Sequence, residues 1–432
     1  MMENRSKMRF SFIVALFILQ SHILPFTHSK AIVKKLPGFS GELPFTIETG
    51  YVGVGKDEEV QLFYYFAESQ RNPQKDPLLL YLSGGPGNSG LIAFLYQIGP
   101  LKFEYANARR TKVNLEVNPY SWTKTANIIF IDLPVGTGFS YSKTYKSSGS
   151  NDSLVIIHAY DFITKWVVDH PKFLTSPLYI AGASYMGLII PNVVSNIYNG
   201  NEQRVQPKLN IKGFLLVSPL TDRFIDFNSR VEFAYRAALI EDEIYECIAR
   251  INMDDILEPL CDEQDPKSIC PESIYLYSNT WANTKAVREA LHIRDGTVDI
   301  WQYRNTTIRG RSGKIDPRIY SQNLFSSLAT HKHLVTKNCH GLIINGDHDM
   351  TFPYMGVELW INSLELKTVN PWRPWFVNSQ VAGYQKNYSK DKYSLRYATI
   401  KGAGHTVALN KPEEAQALVE AWLASHTNST KS

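Results

Sequence analysis

The chain of 432 residues has little cysteine, little net charge and few long apolar runs. Its four cysteines do not show the cysteine and histidine spacing of a zinc site, so we expect no metal and no cofactor. The formal net charge of +4 comes from scattered residues, which gives no indication of a nucleic-acid partner. Beyond the N-terminus no stretch is apolar enough to cross a bilayer, so we expect no membrane partner for the mature protein.

The N-terminus carries the one prominent apolar run. The basic stretch "MMENRSKMR" precedes "FSFIVALFIL", which is short for a membrane span of roughly 20 residues. Small residues at Thr27 and Ser29 suit cleavage by signal peptidase. We therefore predict a secretory signal peptide at residues 1–29, with a membrane anchor as the alternative. The mature protein is then expected to be extracellular or vacuolar.

Secretion permits disulfide bonds and glycans. Three of the cysteines are close together in sequence, and we expect at least one bridge among them, although four cysteines allow three pairings. The disulfide candidates are Cys247, Cys261, Cys270 and Cys339. Sequons of the N-x-S/T type predict surface glycosylation sites at Asn151, Asn305, Asn387 and Asn428.

Five short apolar runs predict buried strands of a mostly parallel sheet. They are "PLLLYLSGG" (77–85), "NIIFIDLP" (127–134), "LYIAGA" (178–183), "IKGFLLVSP" (211–219) and "HGLIINGD" (340–347). Helical spacing of apolar residues predicts one helix around 159–167 and another around 415–423. Strands that alternate with helices predict an α/β fold with helices on both faces of the sheet.

The alternation stops between about residues 220 and 335. This region holds three of the cysteines and many charges but no comparable apolar run. We therefore expect a core in two parts, residues 30–219 and 336–432, with residues 220–335 as an insertion or cap over one end of the sheet.

A serine follows the third predicted strand in "YIAGASYMG", residues 179–187. In an α/β hydrolase the nucleophile lies on a sharp strand-to-helix turn, which places Ser184 in the right context. The strict G-x-S-x-G pattern is not met, because Met186 occupies the last glycine position and the glycine follows at 187. Taken alone, Ser184 is also compatible with an ordinary turn.

A serine nucleophile needs a base and an orienting acid, in this fold in the order serine, acid, histidine. Downstream, "LIINGDHDM" brings Asp347 and Asp349 to a strand end, and "YATIKGAGHTV" brings His405 to another. Backbone N–H groups of the loop "LSGGPGNSG" and of Tyr185 are candidate donors to an oxyanion. The order and the strand-end positions together predict acyl transfer through Ser184.

The chain resembles plant serine carboxypeptidase-like proteins over nearly the whole mature length. The resemblance rests on "LPGFSGELPFTIETGYVGVG", "FYYFAES", "PLLLYLSGGPGNSG", "NPYSWTKTANIIFIDLPVGTGFSYS", "LYIAGASYMG", "INGDHDMTFP", "WRPW" and "IKGAGHTV". It implies an α/β-hydrolase fold with a helical cap insertion. It also implies the triad Ser184, Asp349 and His405, with Asp347 as a structural residue.

By the same resemblance, the backbone N–H groups of Gly85 and Tyr185 form the oxyanion hole. The substrate-binding positions Ser83 and Ala183 depart from the carboxypeptidases of the family, which have Asn and Glu there to hold the carboxylate of a peptide C-terminus. Acyltransferases of the family usually have Ser or Thr at the first position, as here, but Asp at the second.

The resemblance therefore favours transfer of an acyl group from a 1-O-acyl glucose ester to a small-molecule alcohol. The alternatives are a carboxypeptidase that acts on a peptide C-terminus, and a secreted binding protein with a vestigial triad. The sequence leaves open whether the protein forms a homodimer.

Two further departures concern the surroundings of the serine. Asn88 and Arg304 stand where the resemblance implies the two cysteines of a disulfide, so that bridge is expected to be lost as a unit. Met186 replaces a small residue and is expected to narrow the pocket.

Overall fold

Sixteen β-strands occur in the described part of the chain, which comprises residues 30–104, 113–144, 149–239, 256, 275–305, 307–308 and 319–427 of a computed structural model. They are β1 (Ala31–Val33), β2 (Ile47–Val54), β3 (Val60–Ala67), β4 (Leu78–Leu82), β5 (Leu101–Phe103), β6 (Leu115–Val117), β7 (Asn127–Ile131), β8 (Tyr141–Ser142), β9 (Ser150–Asn151), β10 (Leu178–Ala183), β11 (Ile211–Val217), β12 (Tyr320–Ser321), β13 (His340–Gly346), β14 (Lys367–Val377), β15 (Gln380–Lys390) and β16 (Tyr393–Ile400).

Helices connect most of these strands. The α-helices of the described residues are α1 (Gly90–Ile92), α2 (Asp152–Asp169), α3 (Met186–Glu202), α4 (Arg223–Arg236), α5 (Tyr275–Ala282), α6 (Lys285–Ala290), α7 (Leu328–Leu334), α8 (Tyr354–Asn362), α9 (Val407–Asn410) and α10 (Pro412–Thr427). Shorter turns are the 3-10 helices Lys56–Glu58, Trp122–Lys124 and Pro171–Phe173 and a π-helical turn at Ala93–Gln97. None of the described helices has the length and apolar content needed to cross a membrane.

The central sheet has the strand order β1-β2-β3-β7-β4-β10-β11-β13-β16-β15-β14, with β8 paired to β3. The six strands from β7 to β16 in this order pair in parallel. Antiparallel pairs flank them, formed by β1, β2 and β3 on one side and by β14, β15 and β16 on the other. The predicted α/β fold is therefore confirmed, with a mixed sheet that is parallel in its centre, and all five apolar runs are central strands within it.

Side chains of the central strands alternate between two core clusters. In β4, Leu78, Leu80 and Leu82 pack in one cluster, while Leu79 and Tyr81 pack in the other. This alternation follows from the pleat, and both faces are apolar because helices cover both. The two predicted helices are among those that cover the faces of the sheet. Buried side chains of α2 and α3 join the first cluster, and those of α10 join the second.

The region predicted as an insertion contributes no described strand to the central sheet. Its described residues form α4, α5, α6, α7 and β12, and β12 pairs with β9 instead. Helix α7 contributes Leu334 to the first core cluster, which places it under the sheet beside α3. Trp281 of α5 and Val287 of α6 already belong to the second core cluster, so much of this region packs on the core, and the boundaries 220 and 335 stay a prediction.

Candidate active site

Ser184 lies in the tight turn between β10 and α3. Its φ is 57°, in the left-handed region that non-glycine residues avoid. The turn is held by the Ser184 N–H, which donates to the carbonyl of Val217 at 2.9 Å, and by its carbonyl, which accepts from Gly187 and Leu220. A strained serine at such a turn is the geometry of a nucleophile elbow.

Two glycines make this turn possible. A Cβ atom at Gly182 would lie 2.3 Å from the carbonyl oxygen of Leu82, and one at Gly187 would lie 2.4 Å from that of Leu220. Backbone atoms cannot yield to such contacts, so larger residues are excluded at both positions. The close contact at 187 explains why the glycine is needed there, although the strict sequence pattern places it one residue earlier.

The structure brings Ser184, His405 and Asp349 together from three strand ends. The Nε2 atom of His405 lies 3.0 Å from the Ser184 Oγ, and its Nδ1 lies 2.9 Å from the Asp349 Oδ2. Asp349 is fully buried, and its other oxygen accepts the N–H groups of Thr351 and Phe352. An ionised carboxylate at Nδ1 favours the tautomer in which Nε2 can accept the serine proton.

Asp347 lies outside this chain of contacts. Its Oδ1 atom lies 2.6 Å from Nδ1 of His348 and accepts the N–H of Gly402 at 2.7 Å. Asp347 therefore ties the loop after β13 to the loop after β16, which positions the two loops that carry Asp349 and His405.

The loop after β4 lies directly against Ser184. A Cβ atom at Gly84 would be 2.8 Å from the Cβ of Ser184, so only glycine permits this approach. The next residue, Gly85, has a φ of 119°, which L-residues rarely adopt. Among the described residues no backbone carbonyl accepts the N–H of Gly85 or of Tyr185. Both groups are therefore available for an oxyanion beside Ser184.

A buried carboxylate holds this loop in place. Asp132 accepts the Ser89 hydroxyl at 2.5 Å and the Gly90 N–H at 2.8 Å through one oxygen, and the Phe139 N–H at 2.8 Å through the other. Burial raises the pKa of Asp132 to about 6, although these three donors and the Tyr65 hydroxyl act in the opposite direction.

The positions that depart from the family pattern differ in their surroundings. Ser83 is buried, and its Oγ has no hydrogen-bond partner among the described residues. Ala183 is half-buried directly before Ser184. Met186 is fully buried within the first core cluster, so the expectation that it narrows the pocket is wrong. Residues just after the turn point into the sheet–helix interface because α3 packs on the sheet there.

Asn88 and Arg304 are neighbours, as the resemblance implied. They form an isolated antiparallel bridge, flanked by hydrogen bonds from the Ser89 N–H to the Tyr303 carbonyl and from the Asn305 N–H to the Gly87 carbonyl. The position of these bonds makes Asn88 and Arg304 a non-hydrogen-bonded pair, whose side chains are close. Within the described part of the chain, the buried Oδ1 of Asn88 and the buried Nε of Arg304 have no hydrogen-bond partner.

Sequence reasoning missed several residues around the site. Phe352 packs edge-on against His405, with ring centroids 5.4 Å apart, and the Arg230 guanidinium lies over Phe352 at 5.7 Å. On the other side, Asp152 accepts the hydroxyl of Tyr185, and Arg223 donates to that same hydroxyl. These contacts join residues that are far apart in sequence, so no local motif predicts them.

Some of the predicted disulfide and glycosylation sites lie within the described residues and others lie outside them. Cys339 is a fully buried free thiol in the described part of the chain, and the bridge expected among the clustered cysteines stays a prediction. Asn151, Asn305 and Asn387 are half-buried rather than fully on the surface. The signal peptide at 1–29, Cys247, Cys261, Cys270 and Asn428 lie outside the described residues. No group of potential metal ligands occurs in the described chain.

Comparison with known proteins agrees with this geometry. A family model described as serine carboxypeptidase matches residues 37–269 and 246–425. The chain is 40% identical to serine carboxypeptidase-like 2 of Arabidopsis thaliana, over 94% of each chain. It is 39% identical to serine carboxypeptidase-like 17 of the same plant, over 94% of this chain and 97% of the other.

Among solved structures, a prohormone-processing carboxypeptidase of Saccharomyces cerevisiae, Kex1, superposes with a TM-score of 0.75 at 19% identity. The superposition covers 92% of this chain and 95% of the yeast chain, and it confirms the α/β-hydrolase fold. Family and fold together establish an enzyme of the hydrolase or acyltransferase type. The chain belongs to the serine carboxypeptidase family.

Proposed function

We propose that this protein is a secreted acyltransferase that works through an acyl-Ser184 intermediate. The donor is a 1-O-acyl glucose ester and the acceptor is a small-molecule alcohol. The observation that carries the proposal is the continuous contact from Ser184 through His405 to the buried carboxylate of Asp349. An ordinary surface serine would have no such base and no strained backbone.

The first half of the reaction acylates the enzyme. The Nε2 atom of His405 takes the proton of Ser184, whose oxygen attacks the ester carbonyl of the donor. The N–H groups of Gly85 and Tyr185 stabilise the negative charge on that carbonyl oxygen. When the C–O bond to glucose breaks, His405 gives its proton to the departing sugar oxygen, and the acyl group remains on Ser184.

The second half reverses these roles with a different oxygen nucleophile. The acceptor alcohol enters, His405 takes its proton, and the alcohol oxygen attacks the acyl carbonyl. The bond to Ser184 then breaks, and His405 returns the proton to the serine oxygen. Water in place of the alcohol would give hydrolysis instead, so the acceptor must compete with water at the same position.

Carboxypeptidases of the family hold the carboxylate of a peptide C-terminus with an Asn and a Glu, here called the carboxylate clamp. This chain lacks both residues, which favours acyl transfer over peptide hydrolysis. Ser83 offers a hydroxyl in place of an amide, and Ala183 offers no hydrogen-bonding group. Each lost charge-assisted hydrogen bond to a peptide's C-terminal carboxylate costs about 1.5–3 kcal/mol of binding. A neutral sugar ester needs no such clamp.

Labelling with a fluorophosphonate probe, read by mass spectrometry with Ser184→Ala as the control, tests the acyl-serine chemistry. We expect a label on Ser184 only. A folded wild-type protein that stays unlabelled would rule out the enzyme and favour a secreted binding protein.

A panel of acyl glucose donors and alcohol acceptors then tests the transferase, with blocked dipeptides at acidic pH as the competing substrates. We expect ester products with the first set and little hydrolysis of the second. Release of C-terminal residues without ester formation would identify a carboxypeptidase instead.

We further propose that the protein enters the secretory pathway and carries glycans. The basic and apolar N-terminal stretches support the first point, and the sequons support the second. N-terminal sequencing of the mature protein is expected to start near Lys30, and glycosidase treatment is expected to lower its mass. A mature chain that begins at Met1 would contradict the signal peptide.

A further inference from the structure

A third buried carboxylate lies next to the turn that carries Ser184. Asp152, the first residue of α2, is fully buried. Its Oδ1 accepts the hydroxyls of Tyr185 and Tyr320, each at 2.8 Å, and its Oδ2 accepts the N–H of Leu324 at 2.8 Å. We call Asp152, Tyr185 and Tyr320 the Asp152 cluster. It joins three parts of the chain that are far apart in sequence.

Tyr185 connects this cluster to the reaction centre. It follows Ser184 and precedes α3, so its backbone N–H belongs to the first turn of a helix, where no intrahelical acceptor exists. Its hydroxyl donates to Asp152 and accepts from Nη2 of Arg223 at 3.1 Å. Burial and the neighbouring Asp152 carboxylate raise the pKa of Tyr185, so the hydroxyl remains a protonated donor.

The value of an oxyanion donor depends on its direction, because the developing charge must meet the N–H at hydrogen-bond distance without reorganisation. The Gly85 side of the hole is held through Asp132, which binds Ser89 and Gly90 of the same loop. On the opposite side, the side-chain anchor of Tyr185 is Asp152.

We propose that Asp152 is a positioning residue for the oxyanion hole, which fixes the direction of the Tyr185 N–H by holding the Tyr185 hydroxyl. The inference rests on the proposed acyl-serine chemistry but holds for any acyl donor. Asp152 itself does not touch the substrate.

The two tyrosines of the cluster provide a matched pair of variants. Tyr185→Phe and Tyr320→Phe each remove one hydroxyl from the same oxygen of Asp152, at the same distance and at similar burial. Only Tyr185 carries the N–H in question. Tyr185→Phe also removes the hydroxyl that accepts from Arg223, so the thermal midpoints alone do not decide the question. A purely structural cluster predicts no selective loss of the maximal labelling rate in Tyr185→Phe, whereas a positioning role predicts one.

The measurement is the kinetics of fluorophosphonate labelling, separated into the maximal rate and the half-saturating concentration, with the thermal midpoint of each variant. The maximal rate is expected to fall about tenfold in Tyr185→Phe and less than about threefold in Tyr320→Phe, with half-saturation unchanged. Asp152→Asn is expected to follow Tyr185→Phe, because its amide can no longer serve all three donors.

Two failures are distinguishable. Equal rates for Tyr185→Phe and Tyr320→Phe, or a change in half-saturation alone, would overturn the positioning role and leave the acyl-serine chemistry intact. A wild-type protein without any labelling would overturn the proposed function and this inference together.

Discussion

Replacement of both Asn88 and Arg304 by cysteine is expected to create a stabilising disulfide. The two residues form a non-hydrogen-bonded antiparallel pair. The Cα atoms of such a pair are typically about 4.5 Å apart, within the range of roughly 4.4–6.8 Å that a disulfide spans. The substitutions also remove two buried polar atoms, the Asn88 Oδ1 and the Arg304 Nε, for which the described residues offer no hydrogen-bond partner.

The magnitude follows from the loop that the bridge closes. Between positions 88 and 304 lie about 216 residues, for which the chain-entropy relation gives about 5 kcal/mol at 25 °C. Engineered bridges usually deliver less, so we expect about 3 kcal/mol. With an unfolding entropy of about 2.1 cal/mol/K per residue, this raises Tm by about 4 °C.

The assay compares the thermal midpoint of the double variant with and without reductant, alongside Asn88→Cys, Arg304→Cys and the wild type. The single variants correct for any other bridge that the reductant opens. Peptide mapping without reduction identifies the new bond. Free thiols at both positions in the folded protein, or a reductant effect no larger than in the single variants, would refute the geometry on which the estimate rests.

Three further predictions concern the triad, the elbow and the core. Asp349→Asn is expected to lower turnover about 10⁴-fold with the fold intact, measured by labelling rate and circular dichroism. Gly182→Ala is expected to abolish labelling and lower the unfolding free energy by about 1–3 kcal/mol in urea, since its Cβ would meet the Leu82 carbonyl at 2.3 Å. Burial lowers the pKa of His331 to about 3, so stability is complete above the unfolded pKa of about 6.5 and is lost as pH falls toward 3. Urea unfolding is expected to show about 2 kcal/mol of this loss between pH 7 and pH 5, and His331→Leu is expected to lack it; an equal slope in both proteins would exclude His331 as the cause.

The central strands could be predicted because they are buried on both faces and therefore read as nearly continuous apolar runs. The edge strand β14 does not have this property. Strand β14 lies at the edge of the sheet, and most of its residues are exposed, with two prolines and several polar residues. Nothing in such a segment distinguishes an edge strand from a loop, so the hairpin of β14 and β15 was not predicted as strands.

The three candidate triad residues could be predicted because each lies in a recognisable local sequence pattern. Ser184, Asp349 and His405 each follow a strand, and parallel strands bring their carboxyl ends to one edge of the sheet. The residues that surround these three and support the turn at Ser184 could not be predicted. Asp152 and Tyr320 meet only because the chain returns after 168 residues, and that return depends on tertiary packing rather than on any local pattern.

The thiol of Cys339, described above, can report on local unfolding of the sheet. Burial raises the pKa of Cys339 to about 12, so in the native state the thiol is both shielded and protonated, and alkylating reagents need a thiolate that they can reach. Cys339 lies just before β13, the strand that leads to Asp349. The rate at which the peptide containing Cys339 is alkylated would therefore measure how often the centre of the sheet unfolds locally. Molecules in which the sheet stays folded are not alkylated.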